Sequence, residues 1–207
     1  LHKAIRRQRQ MCIRDRNQLY TDIYDDSMWL INLVENLLSV TRIEEGRLNL
    51  HITEDLVDDV ITEALHHVNR KSVEHHITVR HKEDYLLAKM DAKLMVQVVI
   101  NIVDNAIKYT PKGSNILIKT WKQGDKAVIS IADDGDGIPD EMKERVFDMF
   151  YSGANKIADS RRSLGLGLSL CRSIVNAHGG KITVSDNTPH GTVFTITLSA
   201  GEVEIHE

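Results

Sequence analysis

Apolar residues recur along the chain at two periods, and the switches between them mark out the elements. From Gln18 to about Gly46, Leu19, Ile23, Leu30, Leu33, Val34, Leu37 and Leu38 fall at helical spacing, with Trp29 widening the apolar face. That pattern predicts one long amphipathic helix that packs on a partner helix. A short strand, Leu48–Ile52, follows. Thr53-Glu54-Asp55 then reads as the cap of a helix running to about Lys71. Ile77–His81 and Leu86–Lys89 read as strands paired with each other. Asp91 is placed to cap a helix over Ala92–Tyr109, which Pro111 and Gly113 close off. Ile116–Trp121 and Ala127–Ala132 predict a hairpin turning at Gln123-Gly124-Asp125. Next come a glycine-rich turn, Asp133–Pro139, a short helix, Glu141–Met149, and a polar stretch, Tyr151–Ser163, with no apolar period. A helix over Gly165–Ala177 and a hairpin of Lys181–Ser185 with Val193–Leu198 complete the order. Together these predict a two-layer α/β sandwich: three principal helices on one face of a mixed, mostly antiparallel sheet, preceded by one long helix.

Composition narrows the class without changing the fold. The 207 residues are 42% apolar and 27% charged, as in an ordinary globular protein, with room for one domain and an appendage. A net charge of −4 gives no electrostatic footprint for nucleic acid. The two cysteines, Cys12 and Cys171, suit a reducing compartment better than a disulfide framework. The ten histidines have no metal-ligand spacing beside cysteines. No apolar run approaches the roughly 18–20 residues a membrane span needs; the longest, Met95–Val103, is broken by Gln97 and Asn101. The expectation is a cytoplasmic fragment. Leu1–Arg16 is basic and lacks an apolar stripe, and Met11-Cys12-Ile13-Arg14-Asp15-Arg16 looks like translated sequencing-adaptor DNA; the other reading is a basic helix start. The expected organisation is 1–16 unassigned, 17–46 the long helix, and 47–207 the main domain.

Candidate chemistry sits in three segments. On the Ala92–Tyr109 helix, Leu94, Val98, Ile102 and Ala106 form a core side, while Gln97, Asn101, Asn105 and Lys108 recur at four- and three-residue steps on another face. Such a stripe is often simply solvated. The functional alternative is an anionic pocket, where amide oxygens suit a hard Mg²⁺ ion and the Lys108 ammonium meets phosphate. Asp133-Asp134-Gly135-Asp136-Gly137-Ile138 follows a strand. It is either a tight turn or a strand-end carboxylate that accepts from the amino group of adenine, with glycines that let the backbone approach the ring. Ser163-Leu164-Gly165-Leu166-Gly167-Leu168 opens the last long helix, where exposed N–H groups and the helix dipole favour phosphate. Arg161 and Arg162 precede it and can approach a γ-phosphate. The glycine pair alone is equally compatible with close packing.

Taken in this order and separation, the segments resemble the ATPase family of histidine kinases, DNA gyrase, Hsp90 and the MutL repair proteins, over Asp91–Leu198. Asn101-Ile102-Val103-Asp104-Asn105-Ala106-Ile107-Lys108-Tyr109-Thr110 resembles the N box of the kinases. Asp133-x-Gly135-x-Gly137 resembles the G1 box, Phe147-Asp148-Met149-Phe150 the F box, and Gly165-Leu166-Gly167-Leu168 the G2 box. Gly191-Thr192 is similar to the last glycine motif, and His178-Gly179-Gly180 to a turn typical of histidine kinases. The F box separates the chain from gyrase, Hsp90 and MutL. The resemblance implies the Bergerat ATP-binding fold, with ATP and Mg²⁺ as ligands. It implies Asn105 and Lys108 as the catalytic pair, Asn105 on Mg²⁺, and Asn101 with Lys108 on the phosphates. Tyr109 would border the nucleotide and Asp133 would read adenine. Gly165 and Gly167 would hold the phosphates, while Gly135, Gly137, Ile138, Phe150, Arg162, Leu164, Leu166, Leu168 and Thr192 line the site. Tyr151–Leu164 would be a mobile ATP lid. Ser163 stands where the family often has glycine, which stiffens the expected hinge.

Asn32-Leu33-Val34-Glu35-Asn36-Leu37-Leu38-Ser39-Val40-Thr41-Arg42 looks like the second dimerization helix of Kdp-type, potassium-responsive sensor kinases. Ala158–Leu168 is similar to the lid of their Gram-positive members. This resemblance implies transfer of the ATP γ-phosphoryl group to histidine, a KdpE-like response regulator as partner, and a homodimer formed through the dimerization helices. It also implies membrane anchoring only through upstream segments, and no nucleic-acid partner. Such kinases carry the phosphoacceptor in a His-(Glu/Asp)-x-x-x-Pro context, and no such segment exists here: His2 is followed by Lys3, Ala4 and Ile5. The expectation is therefore a chain truncated before its acceptor helix. The rival readings are a nucleotide-responsive module without phosphotransfer, an anti-sigma-type serine kinase, and a purely structural dimerization element.

Overall fold

The computed structural model describes residues 50–68, 74–151 and 165–202, together with residues 19, 20, 23, 24, 27, 30, 31, 34, 38 and 41. The chain divides into two compact units, 1–38 and 39–207. In the first, the described residues are helical. The segment 1–16, most of the expected long helix and its expected end near Gly46 lie outside the described residues.

Among its described residues, the second unit has seven strands and four α-helices. Strand β1 (Thr53–Leu56) leads directly into helix α1 (Val57–His67). Strands β2 (His76–His81) and β3 (Leu87–Met90) precede helix α2 (Ala92–Tyr109). The hairpin β4 (Asn115–Gln123) and β5 (Lys126–Asp133) turns on Gly124, whose φ of +61° suits a residue without a Cβ. A short α3 (Asp140–Lys143), a 3₁₀ turn (Arg145–Phe147), α4 (Gly167–Ala177) and the hairpin β6 (Lys181–Asp186) and β7 (Thr192–Ser199) complete it. The main sheet has the order β2-β4-β5-β7-β6. Only β2 and β4 run parallel; the other neighbours are antiparallel. Inward positions alternate with the pleat: Ile116, Ile118, Ile129, Ile131, Ile196 and Leu198 are buried on the helix-facing side. Helix α2 is flanked by α1 and α4 and closes the core with Met95, Val98, Val99, Ile102, Val103, Ala106 and Ile107. The two-layer sandwich with a mostly antiparallel sheet is as expected.

Four local expectations are corrected. Thr53-Glu54-Asp55 does not cap a helix. It forms β1, pairing antiparallel with β3 from Thr53↔Met90 to Leu56↔Leu87, so ladder bonds claim the backbone that a cap would have used. Strands β2 and β3 do not pair with each other: β3 goes to β1 in a separate two-stranded sheet, and β2 lies beside β4. The expected Glu141–Met149 helix breaks after Lys143 into a 3₁₀ turn, which seats Phe147 edge-on against Phe194 with ring centroids 6.2 Å apart. Leu50–Ile52 is described but is not a strand.

Candidate functional site

Helix α2 supplies the floor of the site. Asp91 caps it, accepting from the Leu94 amide at 3.3 Å. With Val98, Ile102 and Ala106 turned into the core, the helical period leaves Asn101, Asn105 and Lys108 on another face. Asn101 and Asn105 are half-buried, while Lys108 and Tyr109 are exposed. The Lys108 ammonium lies over the Tyr109 ring at 5.0 Å. Leu94, expected in the core row, is only half-buried; its neighbour Met95 is fully buried.

The N-terminus of α4 meets the middle of that stripe. A Cβ on Gly167 would lie 3.5 Å from Asn101 Oδ1. No side chain of the N-cap residue Leu166 caps α4, and the positive end of the helix is presented beside an amide oxygen. Gly165 has a φ of +66°, and a side chain there would overlap the Tyr151 carbonyl, so only glycine fits. On the other side of Asn101, Cys171 donates its thiol hydrogen to the Val98 carbonyl, and burial pushes its pKa up to about 12. Asn101 Nδ2 is buried, and this neutral thiol lies beside it.

The Asp133 turn borders the C-terminal end of α2. A Cβ on Gly135 would come 2.9 Å from the Thr110 methyl and 3.1 Å from Asp133 Oδ1. Asp133 is buried, 8% exposed, at the last residue of β5. Its Oδ1 accepts from the backbone amides of Gly135 at 2.9 Å and Thr192 at 3.1 Å. Burial raises its pKa above the ordinary value, and those two hydrogen bonds oppose the rise. Gly137, with a φ of +78°, packs against the Gly191 carbonyl. Asp134 turns the other way and holds β4, accepting from the Asn115 amide and side chain at 3.0 and 2.8 Å.

Of the expected site residues, Asn101, Asn105, Lys108, Tyr109, Asp133, Gly135, Gly137, Gly165 and Gly167 thus fall on three adjoining segments, and Thr192 opens β7 beside Asp133. Leu166 is buried, and Ile138 and Leu168 pack against the core. Phe150 is 63% exposed with a φ of +62°. Arg162 and Leu164 lie outside the described residues. Two residues of the β6–β7 turn were not expected. Asn187 Nδ2 donates to the Asp133 carbonyl at 2.8 Å, and His190 Nδ1 lies 3.2 Å from the Gly135 carbonyl. Nothing in Asn187-Thr188-Pro189-His190 signals more than a turn. A separate cleft of about 360 Å³ between β2 and β4, lined by Arg80, Lys119 and Trp121, shares no residue with this site.

A family model described as histidine kinase-, DNA gyrase B-, and HSP90-like ATPase matches residues 90–202, the stretch that holds all three segments. The chain belongs to this ATPase family. Among curated relatives of this ATPase, the sensor protein KdpD of Clostridium acetobutylicum is 41% identical over 183 residues, covering 88% of this chain and 20% of that protein. KdpD of Escherichia coli is 33% identical over 179 residues, covering 84% and 20%. The chain thus spans about a fifth of the length of these relatives. Histidine kinase ThkA, solved in complex with the response regulator protein TrrA, is 28% identical with a TM-score of 0.65, covering 83% of this chain and 49% of that one.

The donor set suits the group the ATPase family implies. An amide oxygen, Asn101 Oδ1, faces a glycine that leaves room at a helix N-terminus, and Asn105 stands one turn further along. These are hard oxygen donors beside a phosphate-type cradle, as Mg²⁺ with a polyphosphate requires.

Proposed function

We propose that this chain is the ATP-binding catalytic part of a two-component sensor histidine kinase, passing the ATP γ-phosphoryl group to a histidine held outside these 207 residues. The observation that carries the reading is the convergence on α2: Gly167 at its Asn101 step and Asp133 with Gly135 at its Tyr109–Thr110 end. In this reading Asp133 accepts from the adenine amino group, and Tyr109 borders the ring. Asn101 and Lys108 hold phosphate oxygens, and the amides around Gly165 and Gly167 cradle them. Asn105 holds Mg²⁺, which when bound neutralises charge on the transferring phosphoryl group. The protein's share is positioning and electrostatics, because phosphoryl transfer needs little covalent chemistry from it.

The KdpD likeness supports a Kdp-type kinase in potassium or osmotic signalling, with a KdpE-like response regulator. By the same resemblance, the whole protein pairs through its dimerization helices and is anchored in the plasma membrane. No described helix is long and apolar enough to cross a membrane.

The test is thermal unfolding with and without Mg·ATP or Mg·ADP. A ligand that binds only the folded state stabilises it by about 2.7 kcal/mol at 100 times its dissociation constant, so a clear rise in melting temperature is expected. No shift at saturating nucleotide would remove the reading. If the shift is present, labelled ATP and a separately supplied acceptor domain distinguish kinase from passive nucleotide sensor: the kinase transfers label, the sensor does not.

A further inference from the structure

We propose that Asn187, on the turn between β6 and β7, is a positioning residue for base discrimination, acting through Asp133. The inference rests on the reading of Asp133 as the adenine acceptor.

Two elements 54 residues apart are held together here by hydrogen bonds. The Asp133 carboxylate is fixed on one side by the Gly135 and Thr192 amides. Its own main-chain carbonyl is fixed by Asn187 Nδ2 at 2.8 Å. Asn187 is in turn locked in place: its Oδ1 accepts from the Thr188 amide at 2.9 Å, and its amide donates to the Gly191 carbonyl at 3.0 Å. The carboxamide therefore bridges the hairpin to the Asp133 peptide, with donor and acceptor both used. Gly191 completes the seat, since any side chain there would overlap the Asp133 carbonyl. A cleft of about 330 Å³ lies beside this bridge, lined by Asp136, Gly137, Ile138, Asp186, Asn187 and His190. Without the Asn187 donor, the Asp133 carbonyl loses its side-chain anchor to the β6–β7 turn, and the carboxylate is held less firmly on the line to an adenine amine. Guanine has a carbonyl at that position and never gains the contact, so the loss falls on ATP alone.

The experiment titrates ATP and GTP against the wild-type chain and against Asn187→Ala, Asn187→Asp, Asp133→Ala and the Asp133→Ala/Asn187→Ala double variant. Asn187→Asp keeps the acceptor for the Thr188 amide, replaces the donor and adds a negative charge, so the neutral Asn187→Ala is the reference for the loss of the bond. Both Asn187 variants are expected to weaken ATP about two- to tenfold, the range for one hydrogen bond, and to leave GTP unchanged. In the Asp133→Ala background, Asn187→Ala is expected to cost nothing more, because the two act as one unit. Equal losses for ATP and GTP, or an additive loss in the double variant, would reduce Asn187 to a structural residue and overturn the inference. No loss in either single variant would also overturn it. If Asp133→Ala itself leaves ATP binding intact, the adenine reading is what fails, and the two failures are thereby told apart.

Discussion

Asp133 carries an electrostatic cost. Burial disfavours its charged form, and its two backbone donors offset that only in part, so its pKa lies above the ordinary value. A carboxyl whose pKa is raised on folding contributes stability that is fully present below the unfolded value and lost as pH rises through the folded value. Near neutral pH the ionised group therefore works against the fold. Asparagine at this position keeps an Oδ1 to accept from Gly135 and Thr192 while removing the charge. Asp133→Asn should thus be at least as stable as wild type at pH 7 without nucleotide, and the difference should shrink as pH falls through the carboxylate range. It should also weaken ATP about tenfold and favour GTP, because an amide N–H now faces the base. Melting curves across pH together with nucleotide titrations decide this; a less stable variant that still prefers ATP would refute it. At this scale, the placement of several candidate residues could be read in advance. Asn101, Asn105 and Lys108 share a helical face through spacing alone, and Asp133 ends an apolar strand. Asn187 could not be read, because an amide donating to a distant carbonyl leaves no periodic trace.

Helix α2 was legible at both ends, since Asp91 and Pro111 are strong local signals and the apolar period holds between them. Strand β1 was not, because Thr-Glu-Asp has the composition of a cap and only its distant partner, Leu87–Met90, makes it a strand. The pairing of β2 with β4 was hidden for the same reason: the partners are parallel and non-local. One tie between elements uses the His178-Gly179-Gly180 turn noted in the sequence. His178, buried at the end of α4, donates from Nδ1 to the Ile174 carbonyl at 2.7 Å, and its Nε2 accepts from the Asp91 amide at 2.9 Å. It thus joins the C-terminus of α4 to the cap of α2. His178→Ala should cost roughly 1–3 kcal/mol, the range for stranding a buried polar group, in urea unfolding. Asp91 lies about 15 Å from Asn101 at 1.5 Å per residue, so nucleotide affinity of the folded protein should stay the same. A fall in affinity without loss of stability would contradict this role.

For the molecule as a whole, the sequence offers no His-(Glu/Asp)-x-x-x-Pro acceptor. Incubated with labelled ATP, the chain alone should gain no acid-labile, base-stable phosphate; mass spectrometry that finds phosphohistidine at His2, or at any other histidine, would refute this. The sandwich was readable because helical and strand periods alternate cleanly from Asp91 onward. The compact units divide between Leu38 and Ser39, inside the 17–46 segment read as one helix. One contact reaches further. Tyr151 and Gly165 touch through their backbones, so the two points that flank 152–164 are held side by side. That closure is fixed by the flanking structure. The entropy of closing a chain between two fixed ends grows by only about 0.6 kcal/mol per doubling of its length, so an insertion between Tyr151 and Gly165 should cost the fold little.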